Sequence, residues 1–145
     1  KKLGMSRHLS RGGKGNIKAR TRMVVQYALA FDLNLLVVGT DHASEALTGF
    51  FTKWGDGAVD ITPLSSLNKR QIRQIATRLG VPQSILDKAP TAGLWDGQTD
   101  EGELGVSYED NSDYLEGKDI DPKAREILES HYRRTQHKRQ PIPGI

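Results

Sequence analysis

Apolar residues recur along this chain at two different spacings, and the switches between them predict its elements. From Ile17 onward, Met23, Val24, Tyr27, Ala28 and Phe31 fall at helical spacing, with Lys18, Arg20 and Arg22 off that stripe near the helix start. The preceding Arg11-Gly12-Gly13-Lys14-Gly15-Asn16 is glycine-rich, which predicts a loop with Asn16 as the cap of the helix beginning at Ile17. Leu35-Leu36-Val37-Val38-Gly39 is a continuous apolar run, the pattern of a strand buried on both faces of a parallel sheet. A short helix is expected from Ala43 to about Leu47. Asn68 caps another that runs to about Leu79, with Ile72, Ile75, Ala76 and Leu79 on one face and Gly80 ending it. Val81-Pro82 opens a short helix through Asp87, and two more helices are expected near 107–116 and 122–136.

Between these elements lie two informative connections. Residues 49–63 mix three glycines and a proline with aromatics, which predicts a packed functional loop. Residues 89–105 are polar and rich in glycine and acids, the composition of a mobile lid. A helix followed by a buried strand makes an α/β unit, and Thr40-Asp41-His42 then sits at the strand's carboxyl end, where open α/β sheets bind ligands.

The 145 residues, 36% of them hydrophobic, suffice for one domain spanning 1–145. No stretch approaches the roughly 18 apolar residues of a membrane span, and the first residues hold no apolar run for a signal peptide, so a soluble, cytoplasmic protein with no membrane partner is expected. The absence of cysteine excludes disulfides, thiolate metal sites and cysteine nucleophiles. The net charge of +3 is uneven: residues 1–22 carry Lys and Arg but no Asp or Glu, whereas residues 93–121 are mainly acidic. A basic arm of this kind commonly serves nucleic acid, but no recognition motif or aromatic platform accompanies it, and no nucleic-acid partner is expected.

Several strings, in order along the chain, carry a family resemblance: Gly15 to Met23, Val38 to Ala46, Thr48 to Gly57, Asn68 to Gln71, Lys88 to Ala92, Asp113 to Gly117 and Thr135 to Arg139. Together they resemble the signature of the ammonia-dependent NAD synthetases over nearly the whole sequence. The resemblance implies an adenine-nucleotide α-hydrolase-like, Rossmann-like fold with a parallel sheet, of which this would be the C-terminal portion. It also implies a homodimer that amidates deamido-NAD (nicotinic acid adenine dinucleotide) to NAD in NAD biosynthesis. In that reaction the substrate carboxylate attacks the α-phosphate of ATP, pyrophosphate leaves, and ammonia displaces AMP from the acyl-adenylate. The family's Ser-Gly-Gly-x-Asp-Ser loop, which cradles pyrophosphate, has no counterpart here, since Gly12-Gly13-Lys14-Gly15 does not match it. That loop belongs to an N-terminal half, and this chain alone is expected to be unable to complete the site.

The resemblance also assigns residues. Thr40, Lys69 and Thr91 match positions that contact ATP, and Glu45 matches a magnesium ligand. Arg20, Lys53, Asp60, His137 and Lys138 match positions that bind deamido-NAD. Adenylation of a carboxylate rests on positioning and charge neutralisation, so no residue is assigned as nucleophile or general base, and His42 and His137 are given no acid–base role. Asp100, Glu101 and Glu103 read as solvated charge, and Phe50, Phe51 and Trp54 as core or dimer interface. Two alternatives stand beside this one: a non-catalytic nucleotide-binding or dimerisation fragment, and another amidating ligase of the ATP-pyrophosphatase class.

Overall fold

A hydroxyl, rather than local propensity, caps the start of the longest helix. The computed structural model describes residues 9–144; the first part of the basic arm, residues 1–8, lies outside the described residues, as does Ile145. Helix α1 runs over Arg11–Leu33, with Ser10 as its N-cap accepting from the Gly13 amide at 3.1 Å. The glycine-rich segment expected as a loop is therefore the first turns of the helix, and Asn16 caps nothing. Glycine costs about 1 kcal/mol per helical position relative to alanine. At Gly15 the bare backbone lets neighbours pack closely, and a Cβ there would lie 3.1 Å from Leu94 and 3.2 Å from Trp95. The helix ends at Asn34, which takes the left-handed conformation at φ 55°.

The face that α1 buries is not the expected one. Gly15, Ala19 and Ala30 are buried, whereas Val24 and Phe31 of the anticipated apolar stripe are exposed. The small residues bring other chain close to the helix, and the large ones stand outward.

The run Leu35–Gly39 is also corrected. Among the described residues it forms no strand, only a parallel bridge between Val38 and Ile61, with Gly39 donating to the Ile61 carbonyl at 2.8 Å and Asp60 to the Val37 carbonyl at 2.9 Å. Val37 is buried, but Leu35, Leu36 and Val38 are exposed, so the run is covered on one side alone. A buried parallel strand needs neighbours on both edges and both faces, and the described residues provide one.

The remaining helices are α2 (Ala43–Thr48), α3 (Lys69–Arg78), α4 (Gln83–Leu86), α5 (Asp100–Leu104), α6 (Tyr108–Leu115) and α7 (Pro122–Arg134), followed by a 3-10 turn at Gln136–Lys138. The expected N-cap at Asn68 forms a full capping box with Gln71, and Asp121 caps α7 ahead of Pro122 at the first helical position. The segment 89–105 is not a bare lid. Thr99 caps α5 within it, Gln98 and Leu104 are buried, and Leu94 and Trp95 lie against Gly15.

The core is where α2, α5, α6 and α7 meet. Leu104, Val106 and the wholly enclosed Leu128 form its centre, and Leu47, Phe50, Tyr114, Ile120, Ala124 and Ile127 pack around them. Phe50 thus belongs to the core, whereas Trp54 is exposed. Arg70 of α3 binds Glu109, Asp113 and Glu116, fastening α3 along α6. No helix among the described residues is long and apolar enough to cross a membrane.

Candidate functional site

Two short helices begin side by side, and their first turns carry the site's charge. The Ala43 amide donates to the Leu67 carbonyl at 2.9 Å and the Lys69 amide to Ser44 Oγ at 3.3 Å, which joins the start of α2 to the start of α3. Asn111, almost fully buried, donates from Nδ2 to the Ser44 carbonyl at 3.2 Å and holds the pair from below. Glu45 and Lys69 project from these turns.

They border a cavity of about 830 Å³ whose walls come from α1, from Val38 to Asp41, from loop 49–59, from α3 and from segment 85–103. Thr40, Glu45, Lys69, Thr91 and Lys138 all line it. The structure therefore brings together all of the positions expected for ATP and metal, plus one expected for the dinucleotide. Arg20, Lys53 and His137 form a neighbouring chain of contacts: Arg20 donates to the Lys53 carbonyl at 3.2 Å, and Lys53 Nζ to the His137 carbonyl at 2.6 Å. Lys138 joins the two groups, because its Nζ donates to the carbonyls of Gly49 and Phe51 at 2.7 and 2.6 Å. Burial holds its ammonium below the usual lysine range, with the Asp56 charge opposing that fall. Asp60 stands apart from the cavity lining; its Oδ2 accepts from the Val37 amide at 2.7 Å, behind the Val38–Ile61 bridge.

The cap of α2 is His42. Its Nδ1 accepts from the Glu45 amide at 3.4 Å, and Glu45 Oε2 accepts from the His42 amide at 3.2 Å, a capping box. Thr40 is left exposed at the cavity edge.

Burial sets the charge states here. It pushes the Glu45 carboxyl up to about 7, against the opposing pull of Lys69 and with help from the charges of Asp41 and Asp100. It pushes Asp41 up to about 6, with the Asp56 charge adding to the rise. It lowers His42 to about 4, aided by Lys69, so the ring is neutral near pH 7.

Asp100 overturns its expected role as solvated charge. It is buried at the cavity wall, its Oδ2 accepts from the Tyr108 hydroxyl at 2.9 Å, and its Oδ1 has no hydrogen-bond partner. Glu101 accepts from the Tyr108 amide and Glu103 from Gln98 Nε2, so these acids are structural as well. Asp41 lay within the Thr40-Asp41-His42 tripeptide expected at the ligand end of the run, whereas Asp100 and Tyr108 were not legible as site groups; the only available signal was Thr99 followed by acids, the start of a helix.

Among the described residues no group of three or more His, Asp or Glu is arranged to hold a metal ion. The donor set still suits magnesium, which usually takes one or two carboxylates and completes its shell with water and substrate phosphates. A buried carboxylate whose proton is retained up to about 7 is one that a divalent cation would stabilise.

Comparison with known proteins agrees with this geometry. The NAD synthase family model matches residues 4–142. The chain is 57% identical over 135 residues to a Shewanella oneidensis protein named NH(3)-dependent NAD(+) synthetase, covering 91% of this chain and 49% of that protein. A Francisella tularensis structure described as an NMN synthetase superposes with a TM-score of 0.92 at 47% identity, covering 95% of this chain and 58% of that one. An NH3-dependent NAD synthetase from Campylobacter jejuni, solved with nitrate, superposes at 0.72 with 28% identity, covering 97% of this chain and 57% of that one. The chain spans about half the length of the curated relatives it matches. With the match running through the residues that border the cavity, the chain belongs to the NAD synthase family.

Proposed function

We propose that the protein carrying this chain amidates the nicotinate carboxylate of deamido-NAD, activating it with ATP and taking nitrogen from ammonia. The observation that carries the reading is the single cavity that gathers Thr40, Glu45, Lys69 and Thr91. A carboxylate is a poor acyl donor because oxide is a poor leaving group. In the first step the substrate carboxylate oxygen forms a bond to the α-phosphorus as the bond to pyrophosphate breaks. In the second, ammonia nitrogen bonds to the acyl carbon, AMP leaves with the carbon–oxygen bond pair, and one proton is released.

Lys69 places a point charge on the phosphates, and the hydroxyls of Thr40 and Thr91 orient the nucleotide. Glu45 holds magnesium, which when bound neutralises charge on the leaving polyphosphate. Arg20, Lys53, His137 and Lys138 bind the dinucleotide along the adjoining ridge, and Asp60 contributes at its far side. The same reading takes residues 1–145 as one domain and the Val38–Ile61 bridge as part of a parallel sheet. It includes a homodimer, for which the exposed apolar side chains of α1 supply a face.

The close superposition on a structure described as an NMN synthetase favours a second reading, in which the acceptor is the mononucleotide counterpart. One assay separates them: the intact protein with ATP, magnesium and ammonium is given deamido-NAD or nicotinic acid mononucleotide, and the amide product is followed. Preference for deamido-NAD supports the first reading, preference for the mononucleotide the second, and no amide from either sinks both. Arg20→Ala should then raise KM for the nicotinate substrate about 10-fold while leaving KM for ATP unchanged, the loss of about one charged hydrogen bond; an unchanged KM removes Arg20 from the site.

A further inference from the structure

The buried ring beside Glu45 and Lys69, His42, has no role in the chemistry above. It is 3% exposed, and Tyr108 packs edge-on against it with centroids 6.1 Å apart. Its Nδ1 accepts from the Glu45 amide, which turns Nε2 toward the two charged groups of the site. That one nitrogen lies 3.4 Å from Glu45 Oε1 and 3.4 Å from Lys69 Nζ. Among the described residues Lys69 and Glu45 form no ion pair with each other. Lys69 rests instead over the Tyr108 ring, 5.1 Å from its centroid, and the Tyr108 hydroxyl is fixed on buried Asp100.

An ammonium on a flexible four-carbon stem beside a buried carboxylate closes on it unless something intervenes. We propose that His42 is a positioning residue: its ring stands between Lys69 and Glu45 and keeps the site's ammonium and carboxylate from pairing, so that both stay directed at the nucleotide and its metal. The inference rests on the assignment of Glu45 and Lys69 to those ligands. The Nε2 edge of the imidazole lies 3.4 Å from each group and occupies the space across which they would meet. Its helix cap fixes the ring's rotation, and Tyr108 blocks the other side. A purely structural cap would need Nδ1 alone.

His42→Asn separates the two roles, since asparagine is among the best N-caps but has no second nitrogen at the reach of Nε2. The measurement is the magnesium concentration that half-saturates binding of a non-hydrolysable ATP analogue to the intact protein, followed by calorimetry. His42→Asn should raise it about 10-fold or more, the usual loss when a partner of a metal ligand is removed, with melting temperature nearly unchanged. In a Lys69→Met background the same substitution should change the midpoint less than about 2-fold, because no ammonium remains to close on Glu45. An unchanged midpoint, or an equal effect in both backgrounds, overturns the proposal. Glu45→Gln in the same titration tests its foundation: if the midpoint does not move, the metal assignment falls and this inference with it.

Discussion

Glu45→Gln should make the protein more stable in alkaline buffer while damaging its site. Only 19% of the Glu45 side chain is exposed, and burial raises its carboxyl from 4.5 to about 7. The folded state therefore holds a proton that the unfolded chain has released between those two values, and stability falls as pH rises through that window. The cost is absent well below 4.5 and fully present above 7. At about 1.4 kcal/mol per pH unit, it reaches about 3 kcal/mol at pH 8 and about 1 kcal/mol at pH 5. Glutamine accepts from the His42 amide as the carboxylate does and carries no charge to desolvate. For a chain of this size about 1 kcal/mol corresponds to roughly 2–4 °C, so the variant should melt about 6–12 °C above the parent at pH 8 and about 2–4 °C above it at pH 5. The assay is thermal unfolding of both proteins in chelator at the two pH values, where the difference between proteins cancels every other titrating group. Magnesium with nucleotide should narrow the gap at pH 8 by stabilising the parent alone. A variant that melts below the parent at pH 8, or a gap equal at both pH values, refutes the burial argument.

Two further substitutions test what holds the site in place. Leu128→Ala removes the one core side chain with no exposed surface and should cost about 3 kcal/mol; urea unfolding would show a lower midpoint at constant slope, and a loss under about 1 kcal/mol would mean that the core lies elsewhere. Gly49→Ala puts a Cβ at φ 64° and 2.3 Å from the Thr135 side chain, so it should cost about 2 kcal/mol or more and speed proteolytic cleavage within 50–57; an unchanged melting curve would refute it.

Local signals read from the sequence succeeded where the cause is local. The cap at Asn68 and the helix starts at Ala43 and near 122 are decided by side chains within one helical turn, and the structure puts all three where side chains of Asn68, His42 and Asp121 accept from free amides. The family was legible for a related reason. Residues that must meet one ligand are spaced by the fold between them, and that spacing survives as strings from Gly15 to Arg139.

What failed was decided at a distance. Gly12-Gly13-Lys14-Gly15 has the composition of a loop, and it is helical with Ser10 as its cap, while Leu94 and Trp95 pack against the bare backbone at Gly15. Asp100 sits in an acidic stretch, and it is buried where Tyr108, at the start of the next helix, binds it at the cavity wall. Leu35 to Val38 have the hydrophobicity of an enclosed strand, but the described residues provide one neighbour, at Ile61. The sequence by itself determined the family and the starts of α2, α3 and α7. Only the tertiary structure decided that one imidazole lies 3.4 Å from both Glu45 and Lys69, because burial and contact depend on what the rest of the chain brings there.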